Sequence, residues 1–185
     1  SKEDTTLTAT FLDIHTHGAA NHDVMEGTPD AIATVSRFLA TRGVGRYLPT
    51  TVTAPIDKTL RSLEGIANAI ESPTRDAAIP IGMHHEGPFI SHAKRGVHTP
   101  ADILPPDIAL FYRFQQAARG HIRLMTRGAV AGIEGTELVL MVDNNDRTTV
   151  SVIDGKVNFG TDYATLVLTN GEQAAVDVGQ PPALT

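Results

Sequence analysis

The chain has 185 residues, 41% hydrophobic and 19% charged, with a formal net charge of −6 and no cysteine. This excludes disulfides and thiolate chemistry, so any transition-metal site must be built from histidine and carboxylate. The acidic balance argues against nucleic acid or an anionic membrane surface as partner, no apolar run is long enough to span a bilayer, and the polar start SKEDTTLTAT lacks the apolar core of a secretory signal; the expectation is a soluble, cytoplasmic protein.

In chain order, a strand is predicted over 10–15, ending in the sequence His15-Thr16-His17-Gly18. Thr28 can cap a helix that starts at Pro29 and runs to about residue 41. Ile32, Val35, Phe38 and Leu39 recur there at helical spacing, and Gly43 suits the C-terminal cap. A second strand follows over 46–52, a helix over 56–70, a third strand over 79–86, a helix over 106–118 and a fourth strand over 122–126. This alternation predicts βαβ units and a parallel sheet. Beyond it the character changes. All eight histidines lie at or before residue 121, and from Arg127 onward there are eight acidic and three basic residues. Strands are predicted over 137–142, 148–153, 156–159, 164–169 and 173–178, with Asp154-Gly155 and Asn170-Gly171 as tight hairpin turns. The expected division is 1–126, a parallel α/β unit, and 127–185, an antiparallel meander or small sandwich, with the Gly-rich 127–135 as boundary.

Residues i and i+2 of a strand share a face, so His15 and His17 can converge on one ion. In parallel α/β folds functional side chains gather at the carboxyl ends of strands, where this pair stands. The third strand repeats the arrangement: in IPIGMHHEGPF, His84 and Glu86 share one face and Met83 and His85 the other. Glu86 could serve as metal ligand or general base. The loop that follows adds His92, Lys94, Arg95 and His98, which suit an anionic or sugar-like substrate; a solvated basic loop is the plainer alternative. His22 and His121 read as structural or exposed.

FLDIHTHG resembles the first-strand signature of the amidohydrolase superfamily. Together with YLPTTVTAP, HHEGPFISHAKRGVH and the HIRLMT strand, it is similar to the N-acetylglucosamine-6-phosphate deacetylase family over about residues 11–126. The resemblance implies a metal-dependent (β/α)8 barrel, so the fold expected here is α/β: a partial, half (β/α)8-type parallel barrel followed by an antiparallel β-rich region. It implies Glu86 as principal metal ligand, His15 and His17 as the first-strand ligand pair, and His98, with His84, Lys94 and Arg95 nearby, as substrate-binding residues. The cofactor implied is a divalent metal, zinc or iron, and the substrate an amino-sugar phosphate that loses acetate from its amide nitrogen.

The chain departs from this family in three places. The later histidine pair and aspartate that complete the family's site have no counterpart: the tail contains no histidine, and none of its aspartates sits in a recognisable strand-end motif. A full barrel needs about 250 residues. Ala9-Thr10 stands where the family has Pro-Gly. The sequence therefore reads as the front half of a deacetylase joined to a β-rich tail. A non-catalytic truncated or chimeric scaffold, or a metal- or carbohydrate-binding module, remains the alternative. An open half-barrel exposes edge strands, so either the tail packs across it or two copies associate as a homodimer.

Overall fold

The computed structural model describes residues 8–125, 129–161 and 163–185, apart from the side chains of 94, 124, 125, 130 and 132–137. Strand β1 (Phe11–Thr16) opens the chain. A small hairpin of β2 (Gly18–Ala19) and β3 (His22–Asp23) follows, turning through Ala20 at φ 52° and Asn21 at φ 64°. Two consecutive positive φ angles are the type I′ geometry that matches strand twist. A 3-10 turn over Val24–Glu26 is locked by reciprocal bonds between Asp23 and Glu26.

Helix α1 (Pro29–Thr41) begins as its sequence dictates: Thr28 accepts from the Ala31 amide and proline occupies the first turn. It buries Ile32, Val35 and Leu39 and leads into β4 (Val44–Thr51). Helix α2 (Ile56–Glu71) buries Leu63, Ile66 and Ala67. Then come β5 (Ile79–Pro80), β6 (Met83–His85), α3 (Ile108–Ala117), capped by the Asp107 carboxylate, and β7 (Ile122–Met125).

The parallel strands lie in the order β1-β4-β6-β7, which is also their order in the chain. A winding that never reverses is that of a barrel, not of a doubly wound sheet with a switch point. The result is a curled half-barrel sheet. Its cover is one core of Ile32, Leu63, Ile66, Met83, Phe114 and Ile122, and a smaller one of Val35, Leu39, Tyr47 and Ala78. Tyr47 is fully buried, and its hydroxyl pairs with Ser36 of α1 at 2.8 Å.

The predicted third strand is interrupted. Tyr47 pairs with Pro80, but Thr50 pairs with His84, so one residue is gained at 81–82. Proline brings no ladder donor and glycine tolerates the bend, so the strand bulges there. Glu86 lies just past the end of β6.

The tail continues the same sheet. Strand β8 (Val130–Val142) runs antiparallel to β7 and to β9 (Thr148–Gly160). The far edge of β9 is shared by β10 (Thr165–Thr169) and β11 (Gln173–Val176), and β12 (Ala183–Leu184) pairs with β11. A separate core of Val150, Val152, Val157, Phe159 and Leu168 supports it.

Two turn expectations are corrected. Asp154-Gly155 is not a hairpin: β9 runs through it, and Glu137 opposite Asp154 marks a register shift. Gly155, at φ 96°, bends the strand, and the Asn170 amide bridges to both the Asp154 carboxylate and the Gly155 amide. Asn170-Gly171 does turn, but Glu172 N donates to Thr169 O and only Gly171 of the pair has positive φ, so the turn is not type I′; it joins strands that each pair with β9. Residues 130–135 of the Gly-rich stretch are strand, and 126–128 lie outside the described residues.

The tail thus extends the half-barrel edgewise from β7. At the opposite end β1 is, among the described residues, an edge strand, with Phe11, Leu12 and Ile14 exposed. Among the described residues no helix is long and apolar enough to cross a membrane.

Candidate metal centre

The ends of β1 and β6 bring His15, His17 and Glu86 together, with one ligand atom from each within 4.8 Å of the others. His15 Nε2 and His17 Nε2 are 3.2 Å apart, and Glu86 Oε2 is 3.7 Å from the first and 3.6 Å from the second. Two nitrogens sharing a tetrahedral zinc at ~2.0–2.1 Å would lie roughly 3.3 Å apart, so the spacing suits one ion. The side chains of His15 and His17 keep 47% and 42% of their exposure, which leaves the cluster open to solvent.

The ring of His17 is oriented from β4. Its Nδ1 lies 3.0 Å from the carbonyl of Thr50. A carbonyl only accepts, so Nδ1 carries the proton and Nε2 presents its lone pair to the cluster. The Thr50 hydroxyl accepts from the Thr16 amide and donates to Leu48 O, which ties the end of β1 to β4. Glu86 Oε1 faces His98 Nε2 at 3.3 Å. His98 is itself buried, and its Nδ1 meets the amide and hydroxyl of Thr53.

His84 stands beside the cluster, its ring 5.0 Å from that of His15, with Nδ1 buried and without a hydrogen-bond partner among the described residues. Burial first, and the neighbouring His15 next, hold its pKa below the ordinary histidine value. Arg95 turns inward and donates to the His98 carbonyl at 3.0 Å. The side chain of Lys94 lies outside the described residues. His92 begins a 3-10 turn in the same loop and is exposed. His22 pairs with Glu26, and His121 with Glu71, away from the cluster.

His85 faces the other way, against Phe114 at 4.8 Å, with Nδ1 bonded to Thr51 at 2.7 Å and Nε2 without a partner among the described residues. Desolvation lowers its pKa from 6.5 to about 4. Between those values the unfolded chain holds a proton that the folded chain rejects, so stability falls as pH falls through the window. The contribution is complete above the unfolded value, and about 2 kcal/mol of it should be gone at pH 5. Denaturant unfolding at pH 7 and pH 5 should show this drop, and His85→Gln should flatten it; equal slopes in both chains would refute the assignment.

The sequence reading passed over Thr50 and Thr53. The available signal was the threonine-rich exit of the second strand in YLPTTVTAP, where Thr50, Thr51 and Thr53 are all buried.

No family model matches the chain. It is 36% identical over 94 residues to an N-acetylgalactosamine-6-phosphate deacetylase of Escherichia coli O157:H7, covering 51% of this chain and 25% of that protein. It is 32% identical over 126 residues to the N-acetylglucosamine-6-phosphate deacetylase of Bacillus subtilis, covering 66% of this chain and 32% of that one. Among solved structures, the Mycobacterium smegmatis N-acetyl-D-glucosamine-6-phosphate deacetylase superposes with a TM-score of 0.57 at 28% identity, covering 62% of this chain and 31% of that one. The chain therefore spans about a quarter to a third of the length of the relatives it matches. Over half to three quarters of its own length this chain is similar in sequence, and over 62% of it in fold, to N-acetyl amino-sugar-phosphate deacetylases.

Proposed function

We propose that His15, His17 and Glu86 form a divalent-metal site, for zinc or iron, in a protein that acts on N-acetyl amino-sugar phosphates by removing acetate. The observation that carries this reading is the convergence of two imidazoles and a carboxylate at the ends of β1 and β6. A metal held there supplies Lewis acidity toward an amide carbonyl and toward water. The chain's own part is to present three donors and an open face, the arrangement of a catalytic site rather than a closed structural one. His17 is kept in the ligating tautomer by Thr50. His84, Lys94 and Arg95 are assigned to the substrate side, where an imidazole can hydrogen-bond a sugar and cations can meet its phosphate; His98 borders that side, buried against Glu86. Residues 1–126 are the acting unit and 127–185 its β-rich extension.

A second reading, a metal- or carbohydrate-binding module without turnover, draws on the donor set itself: among the described residues no other group of histidines and acids of this kind assembles. Acetate release from N-acetylglucosamine 6-phosphate, measured on metal-loaded protein, separates the two. Release that disappears in Glu86→Gln supports the hydrolase; bound metal without release supports the binding module.

The open β1 edge is assigned to a second copy of the chain. Phe11, Leu12 and Ile14 are exposed there beside a strand edge that no described residue pairs with, a combination that invites pairing. Sedimentation should find a dimer in the parent chain and a monomer in Ile14→Lys. A parent chain that stays monomeric at tens of micromolar would rule this out.

A further inference from the structure

We propose that Thr53 and His98 are a positioning pair that aims Glu86 at the two histidines of β1; the inference rests on the metal reading of that cluster. His98 is only 6% exposed and Thr53 7%. The Thr53 amide points at His98 Nδ1 at 3.2 Å, and the Thr53 hydroxyl lies 2.7 Å from the same atom. An amide N–H can only donate, so Nδ1 must carry the lone pair and the ring proton must sit on Nε2. That Nε2–H faces Glu86 Oε1 at 3.3 Å. The two carboxylate oxygens are divided by distance: Oε1 lies 3.3 Å from His98 Nε2, and Oε2 lies 3.7 and 3.6 Å from His15 and His17.

The tautomer decides the sign of the contact. With the proton on Nδ1, Nε2 would turn a lone pair toward the carboxylate and repel it. Thr53 therefore acts on Glu86 through the ring between them. It also packs against the chain next to Glu86: a Cβ on Gly87, whose φ is +77°, would come within 2.0 Å of the Thr53 hydroxyl oxygen. The hydroxyl thus fills the space over the Gly87 backbone, and the carboxylate, the glycine and the imidazole are fitted around one threonine. Ligating carboxylates and histidines generally depend on such outer partners, whose loss costs about 10–100-fold in metal affinity.

The test combines two measurements on the full chain. Ring-nitrogen shifts of His98 are read by 15N NMR at pH 8 without metal, and cobalt(II) dissociation constants are measured by competition for the parent, Thr53→Val and Thr53→Ser. The parent should show the Nε2–H tautomer; Thr53→Val should bind cobalt at least about 10-fold more weakly, and Thr53→Ser within about twofold of the parent. An Nδ1–H ring in the parent, or cobalt binding unchanged in Thr53→Val, would overturn the pair while leaving the metal site standing. If the parent takes up no cobalt, the metal reading fails separately, and the NMR then judges the pair: an Nε2–H ring in the parent upholds it, and an Nδ1–H ring overturns it.

Discussion

Glu86→Gln is expected to strip the chain of metal. Purified without chelator, the parent should carry near-stoichiometric zinc or iron by elemental analysis, and the variant almost none. The substitution keeps the size and one oxygen of the side chain but removes the only negative charge among the three donors. It also leaves two neutral imidazoles to hold a dication in a site open to water. The loss in affinity should exceed the roughly 10–100-fold typical of an outer-shell partner, because here the ligand itself is changed. His121→Ala is the control: that ring pairs with Glu71 outside the cluster, and its removal should leave the metal content unchanged. A Glu86→Gln chain that retains its metal would show that the ion, if any, sits elsewhere.

Gly65→Ala is expected to destabilise the fold although it places a better helix former in the middle of α2. In an exposed helix the change would stabilise by about 1 kcal/mol. At this position a Cβ would fall 1.8 Å from the carbonyl oxygen of Gly27 and 2.5 Å from its carbon. Both are backbone atoms and cannot rotate aside. Gly27 is itself constrained: it closes the 3-10 turn at φ 61°, and Ser62 of α2 fastens that turn by donating to Met25 O at 2.7 Å. The helix must therefore move off the turn, and with it Leu63 and Ile66, which are fully buried. Overpacking of this kind costs about 1–3 kcal/mol, more when backbone must shift. For a chain of this size that lowers the melting temperature by roughly 2–12 °C. Scanning calorimetry would read it, and a melting temperature at or above the parent's would refute the close approach.

The parallel half of the fold was legible because each of its elements is specified locally. Thr28-Pro29 starts α1, the apolar spacing of α2 sets its buried face, and the apolar run that enters His15-Thr16-His17 makes β1 a strand; all three lie where the pattern places them. The tail was less legible. A dipeptide such as Asp154-Gly155 favours a turn, but its partner strand decides, and β8 is long enough to carry β9 straight past it. The site was half legible for a similar reason. His15, His17 and Glu86 stand out by type and spacing. Thr50 and Thr53 work through a backbone carbonyl and an amide, groups every residue possesses, so no residue type announces them.

The ligands of the cluster are not spread evenly over the sheet. His15 and His17 belong to β1, the outermost strand, while Glu86 follows β6, two places inward, with β4 between them. Edge strands open most readily in local unfolding, and a ligand stabilises only the conformations that bind it. An ion at this position is therefore a latch: it joins the strand most prone to fray to one that is held on both sides. Amide hydrogen exchange along 11–16 should slow on metal addition far more than along 83–85, so the rim of the half-barrel would report occupancy of the site before any reaction is measured.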